Sequence, residues 1–295
     1  MKVAFLGLGD IGGLIASHLA RDPFDLVVWN RTAGKAAAFA REHKALVAGT
    51  PAEAVKDAQV VITCLPSSVE VEAVLHGGNG MLESLRKGAV LVDCTSGDPT
   101  TSRSIAAELG TRGVEFIDAP VSGGTTAAKA GTLTVMWGGE QSVFERVRPV
   151  MEAFGKKIVH AGPVGSGDAL KAVNNALLAV HILSAAEGLA VLVKAGVDPK
   201  VALEVINASS GRSNSSENLI PQRVLTRAFP RTFRLALLEK DIGIAAVMAE
   251  DLGARTPLIS LTAERFHEAR EKLGEKADHV EAVKMVEEEN GIEIK

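Results

Sequence analysis

The N-terminal run Val3-Ala4-Phe5-Leu6-Gly7-Leu8-Gly9-Asp10-Ile11-Gly12 joins four apolar residues to three glycines spaced G-x-G-x-x-G, and the helical pattern Leu14, Ile15, His18, Leu19 follows directly. The apolar residues read as a short strand. Gly7 permits a tight turn, Gly9 lets the backbone approach a pyrophosphate, and Gly12 lets the next helix pack closely while its N-terminus faces the anion. A strand before the glycines and a helix after them make the spacing specific for a dinucleotide. The residues assigned to it are Gly7, Leu8, Gly9, Asp10, Ile11 and Gly12. A carboxylate beside a pyrophosphate repels it, so Asp10 is expected to face solvent or to cap the helix.

The next strand, Leu26 to Trp29, ends at Asn30-Arg31-Thr32. An NAD-specific chain places Asp or Glu there for the ribose hydroxyls, and the acid is missing. An amide, a guanidinium and a hydroxyl favour the 2′-phosphate of NADP, which needs donors and positive charge, so NADP is expected over NAD. Asn30 and Thr32 would equally serve as turn and N-cap residues before the following helix.

Strands and helices keep alternating. Gln59 to Thr63 runs into Cys64-Leu65-Pro66, and Ala89 to Val92 into Asp93-Cys94-Thr95-Ser96. Loops at the carboxyl ends of strands face the ligand crevice of an open α/β sheet, which makes Leu65, Pro66 and Thr95 candidates to line the cofactor or plain loop punctuation. Val114 to Ile117 leads to Asp118-Ala119-Pro120-Val121-Ser122-Gly123-Gly124. A hydroxyl followed by two unhindered amides makes a small anion nest for a carboxylate, or a tight turn.

Gly162-Pro163-Val164-Gly165-Ser166-Gly167 is the clearest boundary, and past it the periodicity is helical throughout. The fold expected is α/β: a Rossmann-type, doubly wound, mainly parallel sheet in residues 1–163, joined by a long helix to an all-α domain in residues 164–295. That helix carries Lys171, Asn174 and Asn175 near its start, with Lys171 and Asn175 one turn apart. A lysine in an apolar neighbourhood is how proteins make a base that works near neutral pH. A snorkelling lysine on a core helix gives the same pattern. The later helices follow Pro199 to Asn207, Leu219 to Ala228, Leu235 to Leu252, Pro257 to Leu273 and Asp278 to Glu289. Lys240 ends an apolar turn from which it would return to the ligand or face solvent.

Composition narrows the class. The chain of 295 residues is 46% hydrophobic and 23% charged with a net charge of −4, the signs interspersed, which leaves no basic stripe for nucleic acid and no polybasic membrane anchor. Cys64 and Cys94 are too few for a disulfide framework, so reduced thiols and a cytoplasmic setting are expected. Met1 runs straight into the first strand without a basic n-region or cleavage site, so no secretory leader is expected. Asn174, Asn175, His181, Glu187 and Lys194 interrupt the longest apolar run, so no membrane span is expected. The seven histidines are scattered without ligand spacing, so no metal is assigned. Apolar faces on the helices after residue 168 suggest a homodimer or homotetramer.

Four blocks in order, Phe5 to Gly12, Asp118 to Gly124, Gly165 to Asn175, and Lys240-Asp241, make nearly the whole chain resemble the β-hydroxyacid dehydrogenases. This group includes 3-hydroxyisobutyrate dehydrogenase, tartronate semialdehyde reductase and the glyoxylate/succinic semialdehyde reductases. The resemblance implies that Lys171 is the general acid/base, that Asn175 helps hold the substrate beside Asn174, that Ser122, Gly123 and Gly124 receive its carboxylate, and that Thr95 and Lys240 contact the cofactor. Ile11 stands where the family usually has Met, a swap of similar volume. The expected activity is hydride transfer between a nicotinamide and a small 3-hydroxy acid or its semialdehyde. The segment Asn30 to Thr32 looks more like the NADPH-using semialdehyde reductases, the first alternative. A non-catalytic NADP-binding module is the alternative of another class. An imine reductase is disfavoured by Lys171, and a phosphogluconate-type enzyme by the short helical half.

Overall fold

The computed structural model describes residues 1–295. Two compact units divide between Lys171 and Ala172. In the first, strand β1 (Lys2–Leu6) is followed by α1 (Gly12–Leu19), β2 (Asp25–Trp29), α2 (Ala33–Glu42), β3 (Leu46–Val47), α3 (Pro51–Val55), β4 (Val60–Thr63), α4 (Ser68–His76) and β5 (Val90–Asp93). The chain continues through α5 (Pro99–Thr111), β6 (Glu115–Asp118), β7 (Val121–Ser122), α6 (Gly124–Ala130), β8 (Leu133–Gly138), α7 (Gln141–Glu152) and β9 (Gly155–Gly162). The sheet order is β3-β2-β1-β4-β5-β6-β8-β7, with β9 on β8. All pairs are parallel except β6 with β8 and β7 with β8. The winding reverses between β1 and β4, and the glycine turn after β1 stands at that switch point, where open α/β sheets take their ligands.

Apart from Lys2 and the polar ends Thr63 and Asp93, the central strands β1, β4 and β5 are apolar throughout because both faces are covered. Val3, Phe5, Val60, Ile62, Val90 and Val92 enter one buried cluster, while Ala4, Leu6, Val61 and Leu91 enter the other. Period-two alternation thus sorts one apolar run into two layers. Trp137, Phe144 and Phe154 fill the first layer beside the antiparallel end of the sheet.

Helix α8 (Ser166–Lys194) gives its residues through Lys171 to the first unit and the rest to the second. The second unit then holds α9 (Pro199–Asn207), a π-helix Ser215–Val224, α10 (Leu235–Asp251), α11 (Pro257–Leu273), a 3₁₀ turn His279–Ala282 and α12 (Val283–Asn290). Its core joins the small residues Ala172, Ala176, Ala179 and Ala186 of α8 to Leu238 and Ile242 of α10 and Phe266 of α11.

Four local features depart from the sequence reading. The helix expected over Leu219 to Ala228 is the π-helix, shifted towards the N-terminus; Pro221 lacks the amide for an α ladder, and Arg227 at φ 54° turns the chain away. The expected helix from Asp278 begins as a 3₁₀ turn closed by a capping box between Asp278 and Glu281. β3 and α3, two and five residues long, are too short for periodicity to reveal. Finally, α8 is by length and composition apolar enough to cross a membrane, and only 33% of its most apolar window is buried. The demand for an uninterrupted apolar run passes over it, because its polar residues are spread thinly among alanines, leucines and valines.

The glycines of α1 test the close packing. A Cβ on Gly12 would lie 2.0 Å from the Gly7 carbonyl oxygen, whereas one on Gly13 meets nothing within 4 Å. Gly12→Ala is expected to destabilise the chain by about 2 kcal/mol or more through overpacking. Gly13→Ala should be neutral or stabilise by about 0.5–1 kcal/mol. Chemical denaturation of the two variants checks both signs.

Candidate active site

The glycine turn is built from the protein outward. Gly7, at φ 107°, donates its amide to the Trp29 carbonyl at 3.0 Å, and a Cβ there would strike the Cys64 carbonyl oxygen at 2.3 Å. Gly9 differs from its neighbours: it is exposed, and a Cβ on it would meet no protein atom within 4 Å. Packing therefore demands glycine at 7 and 12 but not at 9, where the missing side chain leaves open space beside the N-terminus of α1. No acidic residue occupies the first turn of α1, and Asp10 is exposed and does not cap it. An anionic pyrophosphate fits this cradle.

Asn30 is engaged at both ends of its amide. Its Oδ1 accepts from the Leu8 amide at 2.9 Å and its Nδ2 donates to the Thr32 carbonyl at 3.1 Å. It ties the glycine turn to the end of β2. Arg31 and Thr32 are exposed beside it, and Thr32, at the N-cap position of α2, makes no side-chain capping bond.

Behind the turn, β4 and β5 end in a buried polar knot. The Thr63 hydroxyl donates to Asp93 Oδ1 at 2.8 Å, the Thr95 amide donates to the same oxygen at 3.0 Å, and Thr95 Oγ1 accepts from the Leu65 amide at 3.1 Å. Thr95 is buried, Leu65 half-buried and Pro66 exposed. Burial pushes the Asp93 carboxyl up to about 6, against the hydrogen bonds from Thr95 and Thr63 that lower it. Burial likewise pushes the Cys64 thiol up to about 12 and that of Cys94 well above its usual range, so both stay protonated.

Two further carboxylates hold the start of α8 onto these strand ends. Asp118, at the end of β6, accepts from the amides of Gly165 at 2.8 Å and Asp168 at 3.0 Å. Asp168 accepts from the Gly97 amide at 3.1 Å and from the Ser102 hydroxyl at 2.6 Å. Both are buried. Burial raises the Asp118 pKa, and burial together with the charges of Asp118 and Asp93 holds that of Asp168 well above the carboxylate range. Lys171, three residues past Asp168, is only 9% exposed. Its place at the carboxyl edge of the sheet is set by this clasp.

Ser122 is half-buried, and Gly123 and Gly124 follow at φ 131° and 65° with both residues exposed. A Cβ on Gly123 would lie 2.5 Å from that of Ala127 in α6, so the backbone has this shape only with glycine.

In the second unit Asn175 is buried, and its Nδ2 donates to Asp241 Oδ2 at 2.6 Å. Asn174 is exposed and donates its Nδ2 to Asn175 Oδ1 at 3.1 Å. Lys240 Nζ lies 2.7 Å from Asp241 Oδ1. Asp241 thus joins Asn175 to Lys240, a role the sequence reading did not assign. Its signal was an acid between Leu238 and Ile242, both wholly buried, which needs a donor to be tolerated there. Asp118 and Asp168 were likewise passed over, since their partners lie far along the chain.

Comparison with known proteins bears on this arrangement. Residues 2–162 match the family model described as the NAD binding domain of 6-phosphogluconate dehydrogenase, and residues 165–286 the one described as NAD-binding of NADP-dependent 3-hydroxyisobutyrate dehydrogenase. The 2-(hydroxymethyl)glutarate dehydrogenase of Eubacterium barkeri is 34% identical over 100% of this chain and 97% of its own. The NAD-dependent L-serine dehydrogenase of Pseudomonas aeruginosa is 37% identical over 88% of this chain and 89% of its own. Among solved structures, the Mycobacterium tuberculosis 3-hydroxyisobutyrate dehydrogenase with L-serine superposes with a TM-score of 0.89 at 30% identity, covering 97% of this chain and 98% of that one. Fold, glycine cradle and relatives together define an NAD(P)-dependent oxidoreductase. Within that class, the chain belongs to the β-hydroxyacid dehydrogenase family.

Two outcomes check the site. Gly9→Ala should leave the melting temperature unchanged, since the methyl meets no protein atom, yet weaken dinucleotide binding at least about tenfold in a fluorescence titration by crowding the phosphates. Asp93 keeps its proton to about pH 6 when folded, against 3.8 ordinarily, so its contribution is fully present below pH 3.8 and lost as pH rises through 6. Asp93→Asn should therefore lose less stability than wild type between pH 4 and pH 7.5, by up to about 3 kcal/mol in urea titrations.

Proposed function

We propose that the chain interconverts a small 3-hydroxy acid and its semialdehyde, with NADP preferred over NAD and Lys171 as the proton-transfer group. One observation carries the reading: Lys171, a residue only 9% exposed, stands on the first turns of a helix clasped to the carboxyl edge of a dinucleotide-binding sheet. A side chain so enclosed is shielded from bulk water, where a proton-transfer group can meet a bound substrate directly.

The bound dinucleotide supplies the hydride acceptor or donor. Neutral Lys171 takes the hydroxyl proton as the carbinol carbon becomes a carbonyl, and in the reverse direction its ammonium protonates the developing alkoxide. Asn175, oriented by Asp241, holds the reacting oxygen. Ser122 and the amides of Gly123 and Gly124 take the carboxylate, which fixes the carbon that exchanges hydride. Asn174 supports Asn175 from the exposed side. Gly7 to Gly12 hold the pyrophosphate, Asn30 shapes their turn, Arg31 and Thr32 meet the 2′-phosphate, and Leu65, Pro66, Thr95 and Lys240 complete the cofactor contacts. The reading of L-serine as one member of the substrate class follows from two of the relatives, since serine is itself a 3-hydroxy acid. The two protonated thiols suit the cytoplasm.

Lys171→Met should lower kcat by about 10²- to 10⁴-fold with dinucleotide affinity unchanged, which is the loss typical of an acid/base group. Turnover is followed at the nicotinamide absorbance band with 3-hydroxyisobutyrate, L-serine, succinic and tartronate semialdehydes and glyoxylate, each with NADP(H) and NAD(H). Wild-type turnover by the variant contradicts the assignment of Lys171. A tenfold preference for NAD(H) contradicts that of Arg31.

A further inference from the structure

His18 stands on the inward face of α1 beside Ile15 and Leu19, both wholly buried. A half-buried imidazole in an apolar stripe needs a partner, and its Nε2 lies 2.8 Å from the Ala128 carbonyl oxygen in α6. A carbonyl only accepts, so Nε2 carries the hydrogen and donates it. The same ring closes the end of α6. Gly131, at φ 66°, turns the chain out of that helix, and a Cβ on it would lie 3.1 Å from His18 Cε1.

Alone, α6 is weak. It has seven residues, of which only Ala128 is buried, and an isolated helix of two turns does not persist in water. Yet it shapes the turn before it. The Ala127 amide donates to the Gly123 carbonyl at 3.4 Å, and the Ala127 methyl occupies the space a side chain at Gly123 would need. On the other side of the turn, Val121 and Ser122 are held by pairing with Val135 and Thr134 of β8. The arrangement of the Gly123 and Gly124 amides therefore lasts only while α6 stays folded against α1.

We infer that His18 is a positioning residue for the substrate carboxylate: through Ala128 it holds α6 in place and so keeps the Ser122-Gly123-Gly124 turn in the shape that receives the anion. This rests on the role proposed for that turn. His18 is about 9 Å along the helix axis from Gly12, so it acts through α6 and not on the pyrophosphate. Without the tether the competent turn is populated for part of the time only. Apparent affinity then falls by that fraction, while the saturated complex turns over as before.

Two variants of the intact enzyme test this. His18→Leu keeps bulk and removes the donor, and His18→Gln keeps a donor at similar reach. With 3-hydroxyisobutyrate and NADP, His18→Leu should raise KM about three- to tenfold, the weight of one hydrogen bond, with kcat and dinucleotide affinity unchanged. His18→Gln should recover most of that loss. The methyl ester of 3-hydroxyisobutyrate, which lacks the carboxylate, should be used by wild type and His18→Leu alike. Hydrogen–deuterium exchange of residues 121–133 should quicken in His18→Leu and not in His18→Gln, whatever the turnover. An unchanged KM or exchange in His18→Leu, an equal loss on acid and ester, a loss in kcat or dinucleotide affinity in place of KM, or no recovery in His18→Gln would each overturn the inference. A wild type that uses acid and ester equally well would overturn the carboxylate role of the turn itself and the inference with it, and that result is seen without any variant.

Discussion

The hydrogen bonds that Asp118 and Asp168 accept at the start of α8 are the constraint on which the rest depends. A helix N-terminus exposes amides that need acceptors, and here the Asp118 carboxylate supplies them from the end of β6, accepting from the amides of Gly165 and Asp168. The Ser102 hydroxyl and the Gly97 amide draw Asp168 against the segment that follows β5. Backbone amides and a hydroxyl are rigid donors. Through them the position of Lys171 is set by the sheet, although the helix continues for several turns into another unit.

The arrangement carries an electrostatic cost. Asp93, Asp118 and Asp168 influence one another and are all pushed towards protonation by burial. Groups so placed weaken the fold as pH rises, because the charged forms are the ones burial penalises. Apolar residues could fill the same volume without that penalty, but they could not accept the amides of Gly165 and Asp168. What the carboxylates supply is the position of the first turn of α8, and stability bears the cost.

How much of this was legible in the sequence divides along a physical line. Features set by neighbours in the chain could be read: the glycine turn, the alternation of β and α, and the limits of α9 and α11. Features set by distant partners could not. Asp118 and Asp168 look like ordinary loop and N-terminal acids until residues about 50 positions away are brought to them. Asn30 reads as a ligand donor from its place after β2, and only the fold shows both ends of its amide engaged by Leu8 and Thr32. Asp241 stood in a recognisable block, yet its bond to Asn175 crosses from α10 to α8.

The central claim is a distance. A crystal structure of the ternary complex with dinucleotide and a bound 3-hydroxy acid should place Lys171 Nζ within about 2.6–3.2 Å of the substrate hydroxyl oxygen, the range for direct proton transfer. A lysine nitrogen lying beyond hydrogen-bonding reach of that oxygen, with no water between them, would contradict the account.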